Sequence, residues 1–230
     1  MQEHIWEKEY KNPQLVTLGV EAITAIKDFT RWLRKDQKVN LAGAKILDLG
    51  CGNGKNSIYI ADQAMGTEVF GIDISKTAVE HATKLALESK VEAHFSYGSI
   101  GTTFPFPDSH FDIALDVTSS NSLNKSEREI YLKETHRVLK PGGYFFVRAL
   151  CKDADENAKH LLKSNPGKEK DTYIMPELGL TERVFNKEDF LTNYSLFFTM
   201  LHIEKETHYT KFNDRSYKRN FWVAYFQKKP

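Results

Sequence analysis

The apolar positions along the chain change period repeatedly, from helical spacing to short unbroken runs and back, and this alternation predicts stacked β-α units. Between Gln14 and Lys35, Leu15, Leu18, Ala22, Ile26, Phe29 and Leu33 recur at helical spacing and predict one amphipathic helix ahead of the rest. Ala44 to Leu49 is a short apolar run that ends in glycines, and Asn56 to Ala64 follows as a helix. Val69 to Ile74 is the next strand, Ser75 to Lys90 a helix with Ser75 as its N-cap, and Val91 to Tyr97 a third strand. Turn-rich Gly98 to His110 leads into a fourth strand, Phe111 to Val117. Ser126 with Glu129 forms a capping box for a helix running to Leu139, Pro141-Gly142-Gly143 stops it, and Tyr144 to Leu150 is a fifth strand. This rhythm implies a mostly parallel sheet covered on both faces, a doubly wound α/β fold.

Past Leu150 the rhythm breaks. Cys151 to Arg183 is polar, mixed in charge and carries Pro166-Gly167 and Pro176, which reads as a lid or insertion. Phe190 to Leu196 predicts a short helix. Phe197 to Thr207 and Arg219 to Gln227 are aromatic and β-branched runs that pair as a closing antiparallel hairpin, with its turn around Asn213-Asp214. With no internal repeat, residues 1–230 read as one domain: N-terminal cap helices over 1–43, a core over 44–150, the lid over 151–183, and a closing helix and hairpin over 184–230.

Composition narrows the class. Of 230 residues 40% are hydrophobic, including 15 Phe, 10 Tyr and 3 Trp, enough for a packed core and too many for a disordered or fibrous chain. Lys and Arg number 32 against 31 Asp and Glu, so no bulk field draws the chain to nucleic acid or an anionic membrane. The longest apolar stretches, such as Phe221 to Phe226, fall far short of the ~20 residues that span a bilayer. The N-terminus lacks the pattern of a secretion signal, and Cys51 and Cys151 cannot form a disulfide framework, so a cytoplasmic protein is expected. The 8 His residues are scattered without metal-ligand spacing, and no metal is assigned.

The most informative stretch runs from Ile46 through Asp48-Leu49-Gly50-Cys51-Gly52-Asn53-Gly54 to Asn56. Glycines between a strand and a helix bring backbone close to a ligand, where helix-start N–H groups are unpaired. A dinucleotide loop reads Gly-x-Gly-x-x-Gly; here the spacing is Gly-x-Gly-x-Gly and an acid, Asp48, precedes it. A carboxylate repels a pyrophosphate and attracts an ammonium. Asp73, ending the second strand, suits the two ribose hydroxyls of an adenosine, and Ile74 beside it suits the adenine face.

Residues 44 to 150 resemble a class I S-adenosylmethionine-dependent methyltransferase, of the small-molecule kind with a type 11 or type 25 domain. The resemblance rests on Ile46 to Gly54, Val69 to Asp73, Phe104-Pro105-Phe106-Pro107-Asp108 with Phe111-Asp112, and Arg137-Val138-Leu139-Lys140-Pro141-Gly142-Gly143, in that order. It implies a Rossmann-like seven-stranded sheet, mostly parallel with an antiparallel last strand. It also implies that Asp48 and the backbone at Gly50 and Gly52 hold the methionine end, with Cys51, Asn53 and Asn56 beside them, and Asp73 the ribose. Ser99 and Ile100 fall where the family commonly has an acid and an apolar residue at the adenine; the acid is absent here. Asp116 and Val117, ending the fourth strand, would face the sulfonium through their backbone.

Methyl transfer from a sulfonium requires alignment and exclusion of water more than a strong base. Asp116-Val117-Thr118-Ser119-Ser120-Asn121 lacks the Asn/Asp-Pro-Pro-aromatic signature of exocyclic-amine methylation, and neither cysteine suits attack on a pyrimidine carbon. Asn121 is an acceptor-orienting residue or an ordinary turn former. Trp6 and Tyr10, one helical turn apart, either close the site or anchor the terminus. The basic excess after Glu204 draws an anionic substrate or protects a strand edge, and it makes Tyr209 and Lys218 substrate candidates. The expected activity is methyl transfer from S-adenosylmethionine, with S-adenosylhomocysteine as product, to an N, O, S or Se atom of a small molecule. The alternatives are an RNA or protein methyltransferase and a cofactor-binding module without catalysis.

Overall fold

Strands buried on both faces feed alternate side chains into two cores, which is why they read in sequence as nearly unbroken apolar runs. The computed structural model describes residues 2–212 and 215–229; the turn expected around Asn213 and Asp214 lies outside them. Its strands are β1 (Lys45–Leu49), β2 (Glu68–Asp73), β3 (Ala93–Tyr97), β4 (Phe111–Val117), β5 (Leu139–Cys151), β6 (Thr172–Met175), β7 (Leu180–Arg183), β8 (Phe198–Phe212) and β9 (Arg215–Lys228). Among the described residues a seven-stranded sheet runs in the order β3-β2-β1-β4-β5-β9-β8, with β6 and β7 forming a separate hairpin. The first five strands are parallel, and β9 is antiparallel to both neighbours. Along β5, Phe145, Val147 and Ala149 enter one core while Phe146 enters the other; Leu47 and Ile46 of β1 divide in the same way.

The helices are α1 (Glu3–Lys11), α2 (Thr24–Lys35), α3 (Lys55–Asp62), α4 (Lys76–Ser89), α5 (Lys125–Val138), α6 (Glu156–Ser164) and α7 (Lys187–Ser195). Ser75 caps α4 as expected, accepting the Ala78 N–H. Two expectations are corrected. The helix predicted from Gln14 begins at Thr24, because the buried Glu9 carboxylate accepts the N–H groups of Gln14, Leu15 and Val16 and holds that segment in a turn. The capping box is Asn124 with Glu127, not Ser126 with Glu129: the Asn124 side chain accepts the Glu127 N–H and the Glu127 carboxylate accepts the Asn124 N–H. The stop at Pro141-Gly142-Gly143 is an irregularity inside β5, where the pairing register with β4 shifts.

The hairpin of β8 and β9 closes the sheet by aromatic packing, with Tyr194 of α7 stacked on Phe226 at 5.1 Å. The insertion after β5 carries α6 and the β6-β7 hairpin. Tyr173, Met175 and Leu180 from it join Leu150, Phe221, Ile5, Trp6 and Leu15 in a third core at the carboxyl edge of the sheet. Insertion and N-terminal segment therefore stand or fall together. Asp155 ties the insertion to the sheet: its carboxylate caps α6 through the Ala158 N–H at 2.8 Å and accepts the buried Asn220 N–H of β9 at 2.7 Å. Asp155→Ala is expected to lower unfolding free energy by about 2 to 3 kcal/mol, from a lost cap plus an orphaned buried donor, as measured by urea denaturation.

Candidate active site

The strand order reverses between β1 and β4, and the gap at their carboxyl ends is where sheets of this kind take ligands. Two clefts open there. The first is lined by Trp6, Asp73, Ile74, Ser99 and Ile100, the second by Asp48, Cys51, Gly52, Asn53 and Asn56. Tyr10, Val16, Gly50, Val117 and Thr118 line both and form the partition between them.

The turn from β1 into α3 sets the geometry. Gly50 has φ +71° and sends its N–H to the Ile72 carbonyl at 2.8 Å, while its own carbonyl accepts the Ser119 hydroxyl at 3.0 Å. A Cβ on Gly50 would lie 2.3 Å from that hydroxyl oxygen, and one on Gly52, at φ +55°, would lie 2.5 Å from the Tyr10 phenol oxygen. Both positions thus require glycine on conformation and on space. The Gly52 N–H donates to Asp73 Oδ2 at 2.9 Å, and Asp73 Oδ1 accepts the Ser75 N–H at 2.8 Å.

The buried carboxyls lack a matching cation. Asp48 is 2% exposed and its Oδ2 has no hydrogen-bond partner among the described residues. Burial, reinforced by the Asp73 and Asp116 carboxylates, pushes its pKa up to about 7 against the pull of the Ser57 hydroxyl. Burial raises Asp73 to about 6, opposed by the backbone N–H groups it accepts. A carboxyl that lines a cleft and carries an oxygen without a donor among the described residues is a place for an ammonium group. Asp73, half satisfied by backbone, retains acceptor capacity for hydroxyls.

The N-terminal segment covers the partition. Glu7 of α1 accepts the Ser75 hydroxyl and the Thr77 hydroxyl and N–H, and so sits on the N-terminus of α4. Gln2 bonds the Ser122 carbonyl and both backbone groups of Thr181, joining α1 to the insertion. These contacts bring Trp6 to the first cleft and Tyr10 to both, on a helix as the spacing implied.

Three expected site residues have side chains that are engaged within the scaffold or lie outside the two clefts. The Asp116 carboxylate accepts Ser119 N–H, Ser120 N–H and the Tyr131 hydroxyl, so its side chain braces the turn after β4 and lines neither cleft. Asn121 is buried, accepting Leu150 N–H and donating to the Thr118 carbonyl. Lys218 is exposed outside both clefts, and its neighbour Arg219 lines the second instead. Tyr209 does line the second cleft. The Asn56 carboxamide accepts the Ile23 N–H and the Asn53 amide donates to the Gly19 carbonyl, so both also pin the N-terminal segment.

Sequence reasoning passed over Thr118, Glu127, Arg148, Glu182 and His208. Thr118 holds φ +65°, unusual for a β-branched residue, and turns the chain from β4 into the site. Arg148 had a readable signal, a charge placed directly after the apolar run of a strand buried on both faces.

Comparison with known proteins identifies the core. Residues 46–143 match the family model described as "Methyltransferase domain". O-methyltransferase resE of Aspergillus sclerotiorum is 35% identical over 114 residues, which are 49% of this chain and 42% of that protein. The chain thus spans less than half the length of that curated relative. Among solved structures, a SAM-dependent methyltransferase of Methanosarcina mazei superposes with TM-score 0.74 at 24% identity, covering 91% of this chain and 99% of the other. The 1,6-didemethyltoxoflavin-N1-methyltransferase of Burkholderia thailandensis, solved with S-adenosylhomocysteine, superposes with TM-score 0.66 at 15% identity, covering 99% and 87%. At these identities the structures speak for the fold. Motif order, sheet order and family match agree: residues 46–143 match the methyltransferase-domain family, and the sheet has the fold of the solved S-adenosylmethionine-dependent methyltransferases.

Proposed function

We propose that the chain transfers a methyl group from S-adenosylmethionine to a small-molecule acceptor. The observation that carries this reading is the Asp48 carboxyl, buried beside two glycines that admit no Cβ, with an oxygen that nothing among the described residues satisfies. The bound cofactor supplies an activated methyl on a sulfonium. Asp48 would hold its ammonium group, and Asp73 its ribose hydroxyls. Ile74 and Ile100 would flank the adenine in the first cleft, with the Ser99 hydroxyl, already accepting the Gly101 N–H, free to donate its own proton. Val117 and Thr118, on the partition, would meet the reacting centre. Tyr10 and Trp6 exclude water from above, which in-line displacement at a sulfonium rewards.

Residues 1–230 act in this reading as one unit, with 1–43 as cap, 44–150 as cofactor core, 151–183 as lid and 184–230 as closing element. The acceptor enters the second cleft, between Val117 and the lid residue Glu182. The near-balance of 32 basic and 31 acidic residues favours a small molecule over RNA. Among the described residues no helix is long and apolar enough to cross a membrane.

Calorimetric titration is expected to show micromolar S-adenosylhomocysteine binding and none of NAD; the reverse result would remove the reading. Affinity should rise between pH 6 and 8, because an ammonium partner selects ionised Asp48 and that group titrates near pH 7 in the free protein. Asp73→Ala should weaken binding by about 1.5 to 3 kcal/mol. Without ligand the sign is opposite. A carboxyl whose folded pKa lies above its unfolded value binds its proton more tightly when folded, so stability falls as pH rises. From pH 5 to 7, Asp48 should cost the ligand-free protein roughly 2 kcal/mol. Thermal melting of Asp48→Asn over that range should show a flatter profile than the wild type, and parallel profiles would refute the assignment.

A further inference from the structure

The second cleft contains a cation whose hydrogen-bonding capacity is mostly unspent. Arg148 lies in register with Val117 across the parallel β4-β5 pair, one strand spacing from the partition. It is 9% exposed and lines the second cleft. Its guanidinium carbon sits 3.4 Å from the centre of the Phe221 ring on β9, and Nε donates to Glu206 on β8 at 2.7 Å. Phe221 and Glu206 are themselves paired in register, so the side chain crosses the face of β9 to reach β8.

An arginine has five N–H donors, and Nε supplies one. None of the hydrogen bonds among the described residues uses Nη1 or Nη2. Arg219, the other arginine of this cleft, differs: Glu182 at 3.0 Å and the Tyr173 hydroxyl occupy its Nη2. A structural ion pair alone does not call for a planar fork held flat on an aromatic ring beside the reaction centre. Val117, Leu150 and Phe221 give the cleft an apolar stretch of wall beside Arg148.

We propose that Arg148 is an anion-recognition residue of the acceptor subsite, and that the methyl acceptor is a small molecule with an apolar body and a carboxylate or phosphate group bound by the free edge of this guanidinium. The inference rests on the methyl-transfer reading for the identity of the cleft as the acceptor site. Glu206, on Nε, neutralises part of the same cation, so its carboxylate weakens the hold of the free edge on the substrate's anion. Stacking on Phe221 keeps the fork oriented in its absence.

The test is titration of the S-adenosylhomocysteine-saturated protein with benzoate, phenyl phosphate and neutral benzamide. At least one anion should bind and benzamide should bind at least about tenfold more weakly; the stronger anion distinguishes carboxylate from phosphate recognition. Arg148→Gln should weaken anion binding about 10- to 100-fold while S-adenosylhomocysteine affinity stays within about twofold. Glu206→Gln, at a partly exposed position, should tighten anion binding by roughly threefold or more, and it decides the matter should the Arg148 variant fail to fold. A purely structural ion pair predicts the opposite for Glu206→Gln, weaker or unchanged binding. Equal affinity for benzamide, no anion binding in the wild type, or anion binding indifferent to both substitutions would overturn the proposal. Failure of the wild type to bind S-adenosylhomocysteine would refute the methyl-transfer reading instead, and the same anion titrations on the free protein would still judge Arg148.

Discussion

The fold at the site depends on burying two carboxyl groups at adjacent strand ends with no basic side chain among the described residues to neutralise them. Asp73 is held by backbone donors, including the Gly52 N–H, so the turn between β1 and α3 takes its shape from an acid on β2. Asp48 has no such support for Oδ2. Burying an unpaired acid costs free energy, which the protein lowers by raising the pKa and holding part of the population neutral. A cationic ligand removes that cost. The same feature that burdens the free protein therefore gives a positively charged ligand its selective hold.

Around this centre the chain assembles a cover from segments far apart in sequence. Glu9 folds the stretch after α1 into a turn, Glu7 seats α1 on the N-terminus of α4, and Gln2 reaches the insertion. The third core, shared by Trp6, Leu15, Tyr173 and Phe221, makes the cover continuous with the last strand. The row Arg148, Phe221 and Glu206 crosses three strands at the same edge, so the wall of the second cleft and the closure of the sheet draw on the same residues.

Much of the candidate site could be read directly from the chain because its signals are local. Asp48, Gly50, Gly52 and Asp73 lie at the ends of short apolar runs, where strand direction alone carries them to one edge of the sheet. The errors arose where a local pattern had two solutions. Asn124 and Ser126 each precede a glutamate by three residues, and the reciprocal bonds between Asn124 and Glu127 mark the first as the cap. Leu15 and Leu18 extend the helical spacing of α2, yet a carboxylate from another turn captures the N–H groups that a helix would use.

Side chains that act across the fold were illegible for a related reason. Asp116, near the end of β4, and Asn121, just after it, are polar residues, and only their partners, Tyr131 and Leu150, show that their side chains brace the structure. Arg219 rather than Lys218 enters the cleft because it shares a face of β9 with Phe221, two residues on. The sequence by itself determined the order of strands and helices, the glycine turn and the two acids that face it, since these follow from periodicity and chain direction. Tertiary structure alone decided which charges are paired, which acid is orphaned and which arginines border the second cleft, because those depend on neighbours brought together from distant parts of the chain.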